Sequence, residues 1–193
     1  GGEIRHFELL SYISNKDSKK MSRCDKLGII AANEAICDAF NVSVADLDNN
    51  IDIKKRCGII LGAGAGGMIE AESYIRNFIS GKDKKNRLSM VYSQMQNSTT
   101  DWLAKIFDLS GPKSTIATAC SSSATAIGYA ADMIKNGYAD CMLAGGSEAL
   151  CEITYSGFNS LKIVDTEPCK PFDLNRKGIS LGEGAGILFL EEY

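Results

Sequence analysis

Hydrophobic residues recur at helical spacing in four segments of the chain. In residues 21–40, the apolar positions Leu27, Ile30, Ala31 and Ala35 fall on one face of a helix. The same periodicity predicts further helices over residues 67–80, 94–107 and 122–136. These helices are separated by short apolar runs of a different kind.

The short apolar runs lack the helical period and are bounded by glycine or charged residues. They predict strands over residues 56–61, 114–119, 141–145 and 186–191. A strand followed by a helix and another strand is typical of right-handed crossovers in a parallel sheet. We therefore predict an α/β fold over residues 1–193, a single unit in which helices cover a mostly parallel sheet.

Composition and charge exclude several functional classes. The chain of 193 residues has a formal net charge of −3, which disfavours a nucleic-acid partner. No apolar run approaches the ~20 residues that cross a bilayer, so no membrane partner is expected. The seven cysteines are scattered without a C-x-x-C pair, and His6 is the only histidine. We expect reduced thiols in a cytoplasmic protein, no disulfide framework and no metal site.

Cys120 is the main candidate for chemistry. A β-branched run leads into it, and a predicted helix begins directly after it with three serines. The serines 121–123 are expected to cap the first-turn amides of that helix. The positive end of a helix favours the reactive thiolate, and the Cys120 N–H would be free to donate to an oxyanion. The alternative, that Cys120 is one more buried core thiol, is left open by its position alone.

Other residues suggest competing chemistries. Residues 62–67 fit the G-x-G-x-x-G pattern of a dinucleotide site, for which Asp83 is the candidate ribose ligand. Asp83 follows no predicted strand, so we expect close backbone packing at these glycines instead. Glu148 and Glu183 could form an acid–base pair, but capping or a buried ion pair is the favoured interpretation. A cysteine–histidine protease would need His6 beside the thiol.

Three ordered motifs resemble the β-ketoacyl synthases of the thiolase superfamily. They are A-T-A-C-S-S-S at 117–123 with A-G-G-S-E at 144–148, G-F-N-S-L at 157–161, and P-F-D-L-N-R-K-G-I-S-L-G-E-G-A-G at 171–186. The resemblance extends back to K-K-M-S-R-C-D-K-L at 19–27. It implies the N-terminal half of a thiolase-like fold. The family's first strand, its C-terminal half and the two histidines of that half are not in this chain.

The resemblance also implies a reaction and its site. Cys120 would take an acyl group from carrier-protein phosphopantetheine and then condense it with malonyl-carrier, in fatty acid or polyketide synthesis. No bound cofactor is implied, because phosphopantetheine arrives on the carrier. Residues implied to line the acyl pocket are Ala65, Met90 and Phe158. Basic residues implied to dock the acyl carrier protein are Lys16, Lys19, Lys20, Arg23 and Lys162.

The family pattern further implies a homodimer paired through residues 114–119, which would bring the segment near Met90 to the partner's acyl pocket. Two alternatives stay open. One is a non-condensing partner subunit or carrier-binding module, a class that typically lacks the cysteine. The other is a thiolase-like acyltransferase that uses coenzyme A.

Overall fold

The sheet has four strands in the spatial order β2, β1, β3, β4. The computed structural model describes residues 1–11, 13–40, 51–82 and 86–192. Strands β1 and β2 are parallel, β1 and β3 are parallel, and β3 and β4 are antiparallel. Their bounds are β1 Cys57–Gly62, β2 Lys113–Ile116, β3 Cys141–Glu148 and β4 Gly184–Glu191. The predicted α/β class with a mostly parallel sheet is confirmed, with β4 as its one antiparallel strand among the described residues.

Eight α-helices lie within the described residues. Four of them correspond to predicted helices: α2 Arg23–Phe40, α4 Met68–Ile79, α6 Ser98–Ile106 and α7 Ser122–Lys135. The other four, which the periodicity did not predict, are α1 Asn15–Ser18, α3 Ile51–Arg56, α5 Leu88–Tyr92 and α8 Glu152–Ser160. Helices α1, α3 and α5 have only four to six residues, so a helical period has little length over which to show itself. Helix α8 has nine residues, as many as α6, so its length does not explain why it was not predicted.

Strand β1 is buried on both faces, which explains its unbroken apolar sequence. Ile59 and Leu61 face a core cluster that includes Ile29 of α2 and Leu103 of α6. Ile60 faces the opposite cluster, which α7 closes with small side chains. The residues of that second cluster are Ala126, Ala130, Ile134, Ala139, Met142 and Ala144. The sheet is thus covered by α2 and α6 on one side and by α7 on the other.

The N-terminus of α2 carries a buried carboxylate. Asp25 accepts a hydrogen bond from the Ser22 N–H (2.8 Å), and the Ser22 hydroxyl accepts one from the Asp25 N–H (3.0 Å). Hydroxyls of Ser98 and Thr99 also donate to Asp25. Burial raises the pKa of Asp25 despite the three hydrogen bonds that its carboxylate accepts. The reciprocal cap fixes the start of α2 and joins it to α6.

Candidate functional site

Cys120 lies at a sharp turn between β2 and α7. The predicted strand 114–119 ends early, at Ile116, because the chain leaves the sheet there. A 3₁₀ turn, Ala119–Ser121, then presents an exposed Cys120. Ala119 has φ +53°, a left-handed conformation that costs an alanine about 1 kcal/mol or more. The fold therefore holds the residue before the thiol in a strained position.

The serines after Cys120 brace this turn. The Ser122 hydroxyl accepts from the Thr118 N–H (2.9 Å) and lies 2.7 Å from the Ala119 carbonyl, to which it can donate. The Ser121 hydroxyl donates to the Thr118 carbonyl (2.9 Å). The expectation that the serines cap the first-turn amides of α7 is wrong, since no side chain caps that end. Their hydroxyls are used one turn earlier, where they offset the strain at Ala119.

The sheet fixes the position of the α7 N-terminus through two glycines. A Cβ on Gly62 would lie 2.3 Å from the Ser122 carbonyl carbon and from the Ser123 nitrogen. A Cβ on Gly146 would lie 2.1 Å from the Ser123 hydroxyl. Both strand ends therefore need glycine so that the helix can approach. Among the described residues, none accepts a hydrogen bond from the Cys120 N–H, which is available to an oxyanion.

A cavity of about 520 Å³ opens beside Cys120. It is formed by the loop after β1, the turn around Cys120, the end of β3 and one face of α8. The residues that line it are Gly62, Ala63, Gly64, Ala65, Met68, Ala119, Cys120, Ser122, Ser123, Glu148, Thr154 and Phe158. The structure thus brings Cys120, Ala65 and Phe158 together.

Met90 lies elsewhere in this chain. It lines a separate cavity of about 330 Å³ with Phe7, Arg23 and Glu70, and it is not among the residues that line the cavity beside Cys120. The expectation that Met90 forms apolar wall in this chain's own acyl pocket is therefore not met by the geometry. Its implied approach to a partner subunit's pocket stays a prediction.

The N–H groups of the glycine loop at residues 62–67 bind a carboxylate of the protein itself, that of Glu148. The N–H groups of Gly64 and Ala65 both donate to Glu148, the latter at 3.1 Å. Successive N–H groups that point the same way form an anion-binding concavity, and here Glu148 is the anion. This occupancy argues against a phosphate site, and the candidate ribose ligand Asp83 lies outside the described residues.

Arg23 forms a partly buried ion pair with Glu183, whose side chain is only 1% exposed. The carboxylate also accepts from the N–H groups of Ile4 and Leu150. Hydrogen bonding to Arg23 lowers the pKa of Glu183 and raises that of Arg23. The implied carrier-docking role of Arg23 needs correction, because its guanidinium is bound to Glu183 rather than free in solvent. Glu183 and Glu148 have separate partners, so they form no acid–base pair.

The remaining implied docking residues are exposed. Lys16, Lys19 and Lys20 lie on or directly after α1, and Lys162 follows the C-terminal end of α8. Nearby, Lys105 of α6 pairs with Asp17 (2.9 Å) and lowers the pKa of that carboxyl. Their exposure leaves these four lysines able to meet a partner.

Sequence reasoning did not assign Glu148, Met68 or Thr154 to the Cys120 cavity. A usable signal existed for Glu148. Strands β1 and β3 are parallel neighbours, so the loop after Gly62 and the residue that ends β3 must lie at the same edge of the sheet. No comparable signal marked Met68 or Thr154, because the relative placement of α4 and α8 depends on packing.

Two further features concern ligands and membranes. Within the described residues, no three His, Cys, Asp or Glu side chains are grouped so as to hold a metal ion. No helix in that part of the chain is both long enough and apolar enough to cross a membrane.

Known proteins are similar to this chain in sequence and in fold. The model of the family "Beta-ketoacyl synthase, N-terminal domain" matches residues 5–193. The chain is 36% identical over 199 residues to a 3-oxoacyl-[acyl-carrier-protein] synthase 2 of Vibrio cholerae, a match that covers 100% of this chain and 47% of the relative. The chain thus spans about half the length of such curated relatives.

Solved structures agree with this assignment. A β-ketoacyl synthase from Burkholderia phymatum superposes with a TM-score of 0.82 at 27% identity, over 99% of this chain and 47% of that one. A type II polyketide ketosynthase, solved in complex with its acyl carrier protein, gives a TM-score of 0.76 at 25% identity, over 98% of this chain and 52% of that one. The resemblance inferred from the motifs is confirmed, and so is the fold class.

Proposed function

Because this chain belongs to the β-ketoacyl synthase family, whose N-terminal domain it matches, we propose that Cys120 accepts the acyl group in a condensing reaction. The acyl group comes from an acyl carrier protein thioester, and decarboxylative condensation with malonyl-acyl carrier protein follows, in fatty acid or polyketide synthesis. The observation that carries the proposal is an exposed thiol at a helix N-terminus, next to a cavity of about 520 Å³.

The acyl-transfer step uses groups of this chain. The Cys120 thiolate attacks the thioester carbonyl carbon, and the tetrahedral intermediate places negative charge on its oxygen. The backbone N–H of Cys120 donates a hydrogen bond to that oxygen. Cys120 releases its thiol proton to solvent before the attack. Collapse of the intermediate breaks the carbon–sulfur bond of the carrier thioester, expels the phosphopantetheine thiolate, which takes up a proton from solvent, and leaves a thioester on Cys120. The resemblance assigns decarboxylation to two histidines outside this chain, so condensation is proposed for the whole protein.

Carrier docking and dimerisation are part of the same proposal. Exposed Lys16, Lys19, Lys20 and Lys162 favour an acidic carrier protein. Strand β2 pairs only with β1 among the described strands, so its outer edge is available for a second copy of the chain. We therefore propose a homodimer through β2, in keeping with the family pattern.

Acyl transfer to Cys120 can be tested directly by intact-mass analysis. The protein is incubated with octanoyl-acyl carrier protein or octanoyl-coenzyme A, and the modified peptide is mapped. We expect one octanoyl adduct on Cys120, formed faster from the carrier than from coenzyme A. Cys120→Ala should abolish it. Cys169→Ala is the matched control, since Cys169 is the other exposed cysteine among the described residues.

The outcomes separate the candidate functions. No adduct from either donor would overturn the proposal and favour the non-condensing subunit, although such subunits typically lack the cysteine. Faster transfer from coenzyme A would favour a coenzyme A-dependent acyltransferase. An adduct that persists in Cys120→Ala would show that another residue is the nucleophile.

A further inference from the structure

Glu148 has an unusual position for a carboxylate beside an acyl cavity. It ends β3, lines the cavity, and accepts from the N–H groups of Gly64 and Ala65. Its second oxygen lies 3.2 Å from the Ala65 nitrogen. Hydrogen bonds to an ionised acceptor are stronger than neutral ones, so this contact holds the loop firmly.

The same loop is held from its other side. The Gln96 side-chain amide donates to the Gly64 carbonyl at 2.9 Å, so Gly64 is bonded through both its N–H and its C=O. A Cβ on Gly67 would lie 2.0 Å from the Ser93 carbonyl oxygen, and one on Gly66 would lie 2.9 Å from that of Gln94. The loop therefore lies between β3 and the segment 93–96, with no room to slide towards the latter.

Glu148 itself has a rigid base. Strand β3 is hydrogen-bonded on both edges, to β1 and to β4, and Glu148 pairs in register with Gly184. The sheet thus fixes the backbone of Glu148, and the hydrogen bonds to its carboxylate hold the loop in place relative to the sheet. Ala65, which donates one of the two N–H groups to Glu148, lines the same cavity as Cys120.

We propose that Glu148 is a positioning residue that fixes Ala65 and thereby the inner end of the acyl pocket. The inference rests on the proposed function and deepens it by naming a residue that sets acyl-chain specificity. Glu148 acts through the loop and takes no proton in the reaction. A preformed loop favours ligands that extend to it, because less ordering is needed when they bind.

The test uses reagents that label Cys120 without any acyl transfer. Methyl, hexyl and dodecyl methanethiosulfonates each transfer an alkylthio group to a thiolate, forming a disulfide and releasing methanesulfinate. The rate at Cys120 is followed by peptide mapping. The dodecyl reagent extends along the pocket, whereas the methyl reagent reaches only the thiol. The dodecyl-to-methyl ratio of the rates therefore reports how well the pocket accommodates a long alkyl chain.

Removal of the carboxylate should change this ratio. We expect Glu148→Ala to lower the dodecyl-to-methyl ratio about threefold or more, because the loop is no longer preorganised. Glu148→Gln should stay near wild type, since one side-chain oxygen can still accept from both N–H groups. Glu152→Ala is the matched control: this carboxylate pairs with Arg76 at the surface and does not touch the loop.

Formate provides a readout that a general structural role would not give. It is small enough to enter the concavity left in Glu148→Ala and to accept from the same N–H groups. We expect formate to restore the ratio in that variant and to leave wild type and Glu152→Ala unchanged. If Glu148→Ala does not fold, Glu148→Asp, shorter by one methylene, should lower the ratio to an intermediate value.

An unchanged or increased ratio in Glu148→Ala, or in Glu148→Asp if only that variant folds, would overturn the inference. So would an equal decrease in Glu152→Ala, or a decrease in Glu148→Ala that formate leaves untouched. The proposed function fails separately, if octanoyl donors leave Cys120 unmodified while thiosulfonates still label it.

Discussion

We propose that Ala65 sets how much space the acyl pocket offers at its inner end. The resemblance implied this position, and the structure brings Ala65 to the same cavity as Cys120 and Phe158. Alanine leaves room that isoleucine would fill with three more carbons. At ~0.8 kcal/mol per buried CH₂, that room is worth about 2 kcal/mol to an acyl chain that enters it.

We predict that Ala65→Ile reduces acylation of Cys120 by long acyl donors and spares short ones. About 2 kcal/mol corresponds to a rate decrease of about 30-fold for donors that reach the inner end. Acetyl and dodecanoyl carrier proteins, compared by intact mass, provide the measurement. Ala124→Ile makes the same change at an exposed position of α7 outside the cavity and should affect neither donor. Equal loss for both donors in Ala65→Ile would show that Ala65 does not set the pocket depth.

The position of a residue in the fold was predictable where the order of strands and helices alone determines it. Cys120 follows a strand and precedes a helix, so its placement could be read from the sequence. The hydrogen bonds of the serine hydroxyls could not be read from the sequence, because they depend on the left-handed conformation of Ala119. In that turn the Thr118 N–H and the Ala119 carbonyl bind the Ser122 hydroxyl, which therefore does not cap the helix. Arg23 was misassigned for a similar reason. Its partner Glu183 is 160 residues away, and only the tertiary fold shows the contact.

Short helices present the basic residues proposed to dock the carrier. Helix α1 has four residues, and the Ser14 hydroxyl caps it by accepting from the Asp17 N–H at 3.0 Å. Lys16 lies on this helix, and Lys19 follows directly as its C-cap. Exposed cations of this kind mainly accelerate encounter with an acidic partner, and salt screens them.

Charge reversal should therefore slow association. We predict that Lys16→Glu, Lys19→Glu and Lys20→Glu together reduce the association rate with an acyl carrier protein about tenfold or more at low salt. The defect should shrink as ionic strength passes ~0.15 M, where the Debye length is ~8 Å. Stopped-flow or surface-based kinetics at several salt concentrations give the measurement.

A control with the same charge change separates docking from net charge. Exposed Lys135, Lys170 and Lys177 lie far along the chain from α1. Their joint replacement by Glu should lower the association rate much less. An equal effect of the two triple variants, or no effect of the first at low salt, would refute docking at α1.

Elements were predictable where their apolar pattern was clear. Four helices were expected from helical periodicity and all four strands from short apolar runs, with ends displaced by a few residues. Helix α6 begins at Ser98 rather than near residue 94, because residues 93–96 pack against the glycine loop. The antiparallel direction of β4 was not expected, since no apolar periodicity distinguishes the two directions.

At the scale of the whole molecule, the Arg23–Glu183 pair joins distant parts of the chain. Glu183, just before β4, binds Arg23 of α2, the N–H of Ile4 and the N–H of Leu150 beyond β3. One nearly buried carboxylate thus connects four segments. Removing a partner from such a pair leaves an uncompensated buried charge.

We predict that Arg23→Ala lowers the free energy of unfolding by about 3 kcal/mol near neutral pH. The pKa of Glu183 is lowered below its ordinary 4.5, so its stabilisation is complete above that pH and is lost as the pH falls through the lower, folded-state value. The difference between wild type and Arg23→Ala should therefore narrow below pH 4.5. Urea unfolding across this range provides the measurement.

A solvent-exposed pair supplies the comparison. Arg76 and Glu152 are 64% and 69% exposed, so Arg76→Ala should cost at most about 0.5 kcal/mol. A similar loss in both variants, or a difference for Arg23→Ala that does not change with pH, would contradict the assigned role of the Glu183 carboxylate.

Gly62 at the end of β1 and Gly146 near the end of β3 have an evolutionary consequence. Because Gly62 and Gly146 leave no gap for a Cβ beneath Ser122 and Ser123, the height of the thiol above the sheet is inherited from the strands. Within the described residues, a Cβ on Gly128 of α7 would meet no atom within 4 Å. A small side chain at Gly128 would therefore not push α7 away from the strands, and the reactive sulfur would keep its height. Substitution at either strand end would move it at once.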